Sequence, residues 1–276
     1  MTTEPAIQVG IDGAWRDAGA LEWAVQEAML RREALEVVTV IDDAEPDQVA
    51  IGLLDGVAKY LDQRLPGAEH HGRVATGTPA RELVRLAEGS RMLVIGRRGT
   101  GACRRAMIGS VSEAVAIAAG APVVVVPQFW TPAGRACPVV VAVDGSACDS
   151  PAVVFAREAA VLRESPLRLV HVWNLPAIYP GDVPSLGEEW WETAAHRLEQ
   201  LADELRARCP SLPVATELRS GHVVSGIVAA ATETGAQLLV VGGRARAWPS
   251  NLPDSATRGI LRLAGCPVAI VHDGGR

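Results

Sequence analysis

Ile7-Gln8-Val9-Gly10-Ile11-Asp12-Gly13 returns later in the chain as Val139-Val140-Val141-Ala142-Val143-Asp144-Gly145, and this recurrence decides the fold. Each copy is a short, β-branched apolar run that stops at Asp-Gly, the pattern of a buried strand ending in a turn. Two further segments recur in the same order. Met92 to Gly96 (M-L-V-I-G) matches Leu238 to Gly242 (L-L-V-V-G), and Ala119 to Val124 (A-G-A-P-V-V) matches Ala264 to Ala269 (A-G-C-P-V-A). The copies are collinear, so one module is duplicated. The second copy is longer, and its extra residues fall mostly between Trp173 and Leu186, where Pro176, Pro180, Gly181 and Pro184 surround Tyr179 and predict a long loop. Pro132, Gly134 and Pro138 break the chain between the copies. Two domains of similar size are expected, residues 1–130 and 136–276.

Within copy one, strands are predicted near Ile7 to Ile11, Glu36 to Ile41, Arg73 to Thr76, Met92 to Gly96 and Pro122 to Val126, with helical patterns between them. Strands alternating with helices give an α/β class with parallel sheets, because a parallel connection needs a crossover long enough for a helix. Leu21, Ala24, Val25, Ala28 and Met29 share one face of the first helix, and Val153, Ala156, Ala160 and Val161 repeat the stripe in copy two. All read as core. Val123 to Val126 and Val268 to Val271 would each leave a hydrophobic sheet edge exposed, so they are expected to pair within the chain. A compact pseudo-twofold monomer, an intrachain pseudo-dimer, is expected, with any homodimer forming through the helices.

The chain has 276 residues, of which 49% are hydrophobic and 21% charged, a composition that supports a packed core and excludes a disordered polymer. A net charge of −6 disfavours a general nucleic-acid binder. Lys59 is the only lysine, which removes most candidates for a phosphate-binding or Schiff-base lysine. Cys103, Cys137, Cys148, Cys209 and Cys266 form no C-x-x-C pair and read as packing thiols of a reducing compartment. Met1 to Ala6 carries no basic-then-apolar signal, and Ala121 to Val126 is far too short to span a bilayer. A soluble cytoplasmic protein without a membrane partner is expected.

Ligands of an open parallel sheet bind beyond the carboxyl ends of its strands, where strand order reverses. Two segments of copy one should end there: Asp12-Gly13, and the loop G-R-R-G-T-G-A-C-R-R-A-M-I-G-S-V-S from Gly96 to Ser112. Glycines at 96, 99, 101 and 109 let a phosphate approach the backbone, and Ser110 and Ser112 stand where a helix begins, offering hydroxyls and unpaired N–H groups to an anion. Arg97, Arg98, Arg104 and Arg105 add positive charge, with one of Arg97 and Arg98 expected to touch ligand. The plainer reading is a glycine-rich connection whose Ser110 caps a helix. Asp12 suits a ribose hydroxyl or a metal-bound water, and equally a brace for the Gly13 turn. Val40 suits an apolar wall against a base, or ordinary core.

The spacing Gly96-x2-Gly99-x9-Gly109-Ser110, with Val9-Gly10-Ile11-Asp12-Gly13 before it and Pro122 to Val126 after it, resembles the ATP-binding branch of the universal stress proteins, across both copies. The resemblance implies two tandem open-twisted five-stranded parallel sheets of order 3-2-1-4-5 with helices on both faces. It implies ATP, with Mg2+, held in the first domain by Asp12, Gly13, Val40, Gly96, Arg97, Arg98, Gly99, Gly109, Ser110, Val111 and Ser112. It also implies that the last strands of the two domains pair. Copy two departs from the pattern: Gly99 falls on Ala245 and Gly109 on Asp254, and Pro249 and Pro253 stiffen the loop. A carboxylate where a phosphate belongs repels it, so the second site is expected to be weak, empty, or open to a less charged ligand.

The function expected is a nucleotide-binding regulatory stress-response protein acting on an unknown protein partner. It should have little or no hydrolysis, because no evident catalytic base and no G-x-x-x-x-G-K-[ST] motif is present. A slow ATP-consuming enzyme and a nucleotide-free scaffold are the alternatives. Trp15 and Arg16 stand where small residues are usual; Trp15 either stacks at the mouth of the site or covers the first helix. His70-His71 reads as a solvated loop. Trp190-Trp191 reads as helical, one ring buried and the other marking a partner surface.

Overall fold

The computed structural model describes residues 6–17, 19–41, 48–64, 66–97, 108–144, 147–173, 183–243 and 254–272, with the side chains of 183–188 and 254 outside that set. The molecule divides into two compact units, Met1–Pro132 with Pro267–Arg276, and Ala133–Cys266.

The first repeat runs β1 (Ile7–Gly10), α1 (Ala20–Arg31), β2 (Leu35–Ile41), α2 (Gln48–Arg64), β3 (His70–Thr76), α3 (Pro79–Ala87), β4 (Met92–Gly96), α4 (Ser110–Ala118) and β5 (Val123–Val126). Its strands lie in the order β3-β2-β1-β4-β5, all parallel. The second runs β6 (Val139–Ala142), α5 (Pro151–Leu162), β7 (Leu167–Trp173), α6 (Val183–Arg208), β8 (Val214–Ser220), α7 (Val223–Glu233), β9 (Leu238–Gly242), α8 (Asp254–Leu263) and β10 (Val268–Val271). Strands β8-β7-β6-β9 repeat the parallel order. The sequence-based class, an α/β protein with the strand order 3-2-1-4-5 in tandem repeats, is the class observed, with the strands joined in one ten-stranded sheet.

β5 carries four valines, each at most 1% exposed. β10 lies antiparallel against it with Val268 opposite Val125 and Ile270 opposite Val123, so the apolar edge of the first unit is covered. Just beyond β10, His272 Nε2 lies 2.9 Å from the Ala116 carbonyl of α4.

Leu21, Ala24, Val25 and Ala28 are buried as their spacing predicts, but Met29 is 59% exposed and its counterpart Val161 is 49% exposed. Both stand near the end of their helix, where the stripe drifts off the sheet. α1 starts at Gly19, whose φ of +70° is strained for any residue with a side chain. A Cβ there would also stand 2.7 Å from the Pro127 carbonyl oxygen and 2.9 Å from Trp130 Cβ. Glycine is required at that position by conformation and by space. His70 and His71 open strand β3 rather than a loop, His70 lying 3.0 Å from Asp62 and His71 2.9 Å from Glu69. Edge strands with one covered face tolerate such polar residues, which is why their polarity misleads. Trp190 and Trp191 are helical, but neither is buried, at 48% and 39% exposure. No described helix is long and apolar enough to cross a membrane.

Candidate functional site

Strand order reverses between β1 and β4 in the first unit, so the carboxyl edge there is a topological switch point. Gly10 pairs in register with Val38 on β2 and with Ile95 on β4. Two residues further along, Asp12 stands level with Val40 on one side and Arg97 on the other. Three residues distant in sequence thus reach one edge because three parallel strands share a register.

Each is held differently. Asp12 Oδ1 accepts the Ala14 amide at 2.9 Å, and the Asp12 carbonyl accepts the Trp15 amide at 3.1 Å, an Asx turn that fixes the carboxylate at the strand end and exposes Gly13. Val40 is half-buried at the end of β2. The Arg97 backbone is clamped on both sides: its amide donates to the Val126 carbonyl, and its carbonyl accepts the Gly109 amide, each at 2.8 Å. The two ends of the Gly96 to Ser112 loop are therefore tied to each other.

A second tie lies beneath. Ser112 is buried, 6% exposed, and its hydroxyl donates to the Gly96 carbonyl at 2.7 Å. That proton is committed to the protein, so Ser112 fixes the loop. The sequence motif suggested a hydroxyl for the anion, and a contact sixteen residues back along the chain gave no local signal. Gly109 is the N-cap of α4, in an extended conformation and without any side-chain cap. The first helical bond runs from the Glu113 amide to the Gly109 carbonyl at 3.0 Å. The amides of Ser110, Val111 and Ser112 therefore precede the intrahelical ladder, where a helix has donors without helical acceptors and the positive end of its dipole. Ser110 is exposed and Val111 half-buried. Because the Gly109 amide is already taken, the donor set begins at Ser110. Arg98 and Gly99 lie outside the described residues.

Trp15 is 6% exposed and packs edge-on against Tyr60 of α2, ring centroids 5.5 Å apart, while the Arg16 guanidinium lies 4.1 Å over its ring. It is buried against α2 rather than standing open at a mouth. The Tyr60 hydroxyl donates to Glu22, which also pairs with Arg64. Burial, and then the Glu22 carboxylate accepting its proton, push the Tyr60 phenol above its ordinary value.

The sequence profile of the universal stress protein family matches residues 6–127 and 138–272. The chain belongs to the universal stress protein family. It is 28% identical over 296 residues to a universal stress protein of Mycolicibacterium smegmatis, covering 98% of each chain. To universal stress protein Rv1996 of Mycobacterium tuberculosis it is 27% identical over 307 residues, covering 98% of this chain and 96% of the other. A solved universal stress protein from Archaeoglobus fulgidus shares the fold over the full length of both chains, with a TM-score of 0.71 at 20% identity. In this tandem universal stress protein the family match spans both repeats.

In the second repeat the register places Val143 level with His171, and Asp144 level with Val172. α8 begins at Asp254, the residue aligned with Gly109. The loop before it, including Ala245, Pro249 and Pro253, lies outside the described residues.

Proposed function

We propose that this universal stress protein is an ATP-binding regulatory protein whose first repeat holds the nucleotide, with Mg2+, and hydrolyses it slowly or not at all. The observation that carries this reading is the uncapped first turn of α4, joined to the Asp12 edge through the Arg97 clamp. The residues fit a triphosphate. Gly96 and Gly109 put no Cβ at the approach, and the Ser110, Val111 and Ser112 amides present donors to phosphate oxygens. Arg97 adds charge from just beyond β4, and Arg98 and Gly99 extend the same loop in sequence. Asp12 and Gly13 take the ribose side and Val40 the base. ATP supplies the negative charge that this end of the fold collects, and the Ser112 and Arg97 ties keep the collecting amides in place.

Regulation follows from differential binding: a nucleotide that orders one arrangement of the loop raises the population a protein partner recognises. Slow turnover follows from a site built of amides and one braced carboxylate rather than a lysine and a positioned base. The second repeat, with Asp254 where Gly109 stands in the first, takes no triphosphate. Calorimetric titration of the full chain with ATP and Mg2+ tests the assignment, and a coupled phosphate-release assay tests the turnover. Failure to bind ATP at about millimolar concentration favours a nucleotide-free scaffold. Steady phosphate release abolished by Asp12→Ala would instead establish an enzyme.

A further inference from the structure

The second unit has a cleft of its own. It opens at the carboxyl ends of β6 and β7 and is walled by α6; Val143, Asp144, His171, Arg197, Leu198 and Leu201 line it. About 60 Å³ of the cleft is enclosed and the rest opens to solvent, so a bound molecule would sit partly exposed at its mouth.

Its lining divides into chemically distinct parts. Val143, Leu198 and Leu201 are buried and form an apolar floor. His171 Nδ1 lies 2.7 Å from the Val143 carbonyl oxygen, which only accepts, so Nδ1 carries a proton and Nε2 is the ring nitrogen left for another partner. The first repeat has Thr39 at this level of its sheet. Asp144 brings a carboxylate to the same edge. Arg197 brings the opposite charge from the helix. Its neighbours are engaged: Arg206 pairs with Glu199 and Asp203, Arg208 with Asp149, Arg219 with Glu217 and Glu233, and Arg168 with Glu217. Arg197 has no ion-pair or hydrogen-bond partner among the described residues. A second donor on this face is also unmet. Trp173 follows His171 by two residues and so lies on the same side of β7. Its Nε1 is buried without a hydrogen-bond partner, and its ring meets Trp191 of α6 edge-on at 6.0 Å.

We propose that this cleft binds an apolar α-amino acid. The carboxylate lies on the Arg197 guanidinium. The ammonium lies between the Asp144 carboxylate and His171 Nε2, and the side chain rests on Val143, Leu198 and Leu201. A zwitterion matches two opposite charges held apart over an apolar floor, whereas a nucleotide would set its phosphates toward Asp254 and leave Arg197 unused. The site is separate from the nucleotide site of the first repeat.

The test is calorimetric titration of the full chain with L-leucine, then with 4-methylpentanoate, which lacks the amine, and 3-methylbutylamine, which lacks the carboxylate. Leucine should bind once per chain, and each analogue should bind about tenfold or more weakly. Arg197→Gln, an exposed position, should weaken leucine by about tenfold or more while leaving ATP affinity and the melting temperature unchanged. The proposal is overturned if leucine gives no binding up to about 10 mM, if 4-methylpentanoate binds as tightly, if Arg197→Gln changes nothing, or if adenosine displaces leucine. Leucine binding in a chain that fails to bind ATP would refute the nucleotide reading alone.

Discussion

Replacing Gly109 by Asp converts the proposed phosphate end of the first repeat to the residue found at the aligned position of the second, and separates stability from binding. Gly109 is the N-cap of α4, with φ −65° and ψ 145°, a conformation that aspartate adopts freely. The new carboxylate would accept the first-turn amides and face the positive end of the helix, so α4 gains a few tenths to about 1 kcal/mol. The same carboxylate occupies the donors a phosphate needs. At roughly 5 Å from a phosphate charge, with an effective dielectric constant of about 20, repulsion alone is about 3 kcal/mol, or roughly a hundredfold in affinity. Thermal melts without ligand should show a Tm equal to or above that of the parent, and calorimetry should show ATP binding weakened by about a hundredfold or more. A Gly109→Asp protein that binds ATP within about threefold of the parent refutes the assignment of phosphate to the α4 amides.

Other consequences follow from single contacts. Ser112→Ala leaves the Gly96 carbonyl without its buried donor, and urea melts should show a loss of about 1 to 3 kcal/mol together with weaker ATP binding. Gly19→Ala forces a Cβ onto Pro127 and Trp130 at positive φ, and the same melts should show about 2 to 4 kcal/mol lost, far beyond an ordinary surface change. Glu199 is held below the ordinary glutamate value of 4.5, first by its hydrogen bond from Arg206 and then by that from Thr216. A depressed carboxyl is protonated in the unfolded chain before the folded one as pH falls, so its contribution is present above 4.5 and lost below it. Urea midpoints measured from pH 5 down to pH 3 should therefore fall less steeply for Glu199→Gln than for the parent.

Much of the fold was legible because duplication makes the chain its own control. A run such as M-L-V-I-G is ambiguous alone, but its return before a second A-G-x-P-V marks a strand at a fixed place in a repeating unit. Strand ends drifted by a few residues where local chemistry is weak. β3 begins at His70 because backbone pairing to Leu35 outweighs the polarity of two histidines. Met29 and Val161 continued an apolar stripe on paper, yet a helix leaves the sheet before its last turn ends, and spacing carries no record of where. Asp12, Val40 and Arg97 could be predicted to meet, since a parallel sheet aligns the ends of its strands. The buried bond from Ser112 to Gly96 and the cleft beside Arg197 could not. Both depend on side-chain direction across long separations, and Arg197 differs from the other arginines of α6 only in which neighbours fail to reach it.

If one repeat of the two receives a triphosphate, native mass spectrometry of the intact chain, titrated with ATP and Mg2+, reads it directly. A single nucleotide should add per chain, and none should add to Gly109→Asp. Two nucleotides filling with equal affinity, or none at saturating ATP, would contradict it.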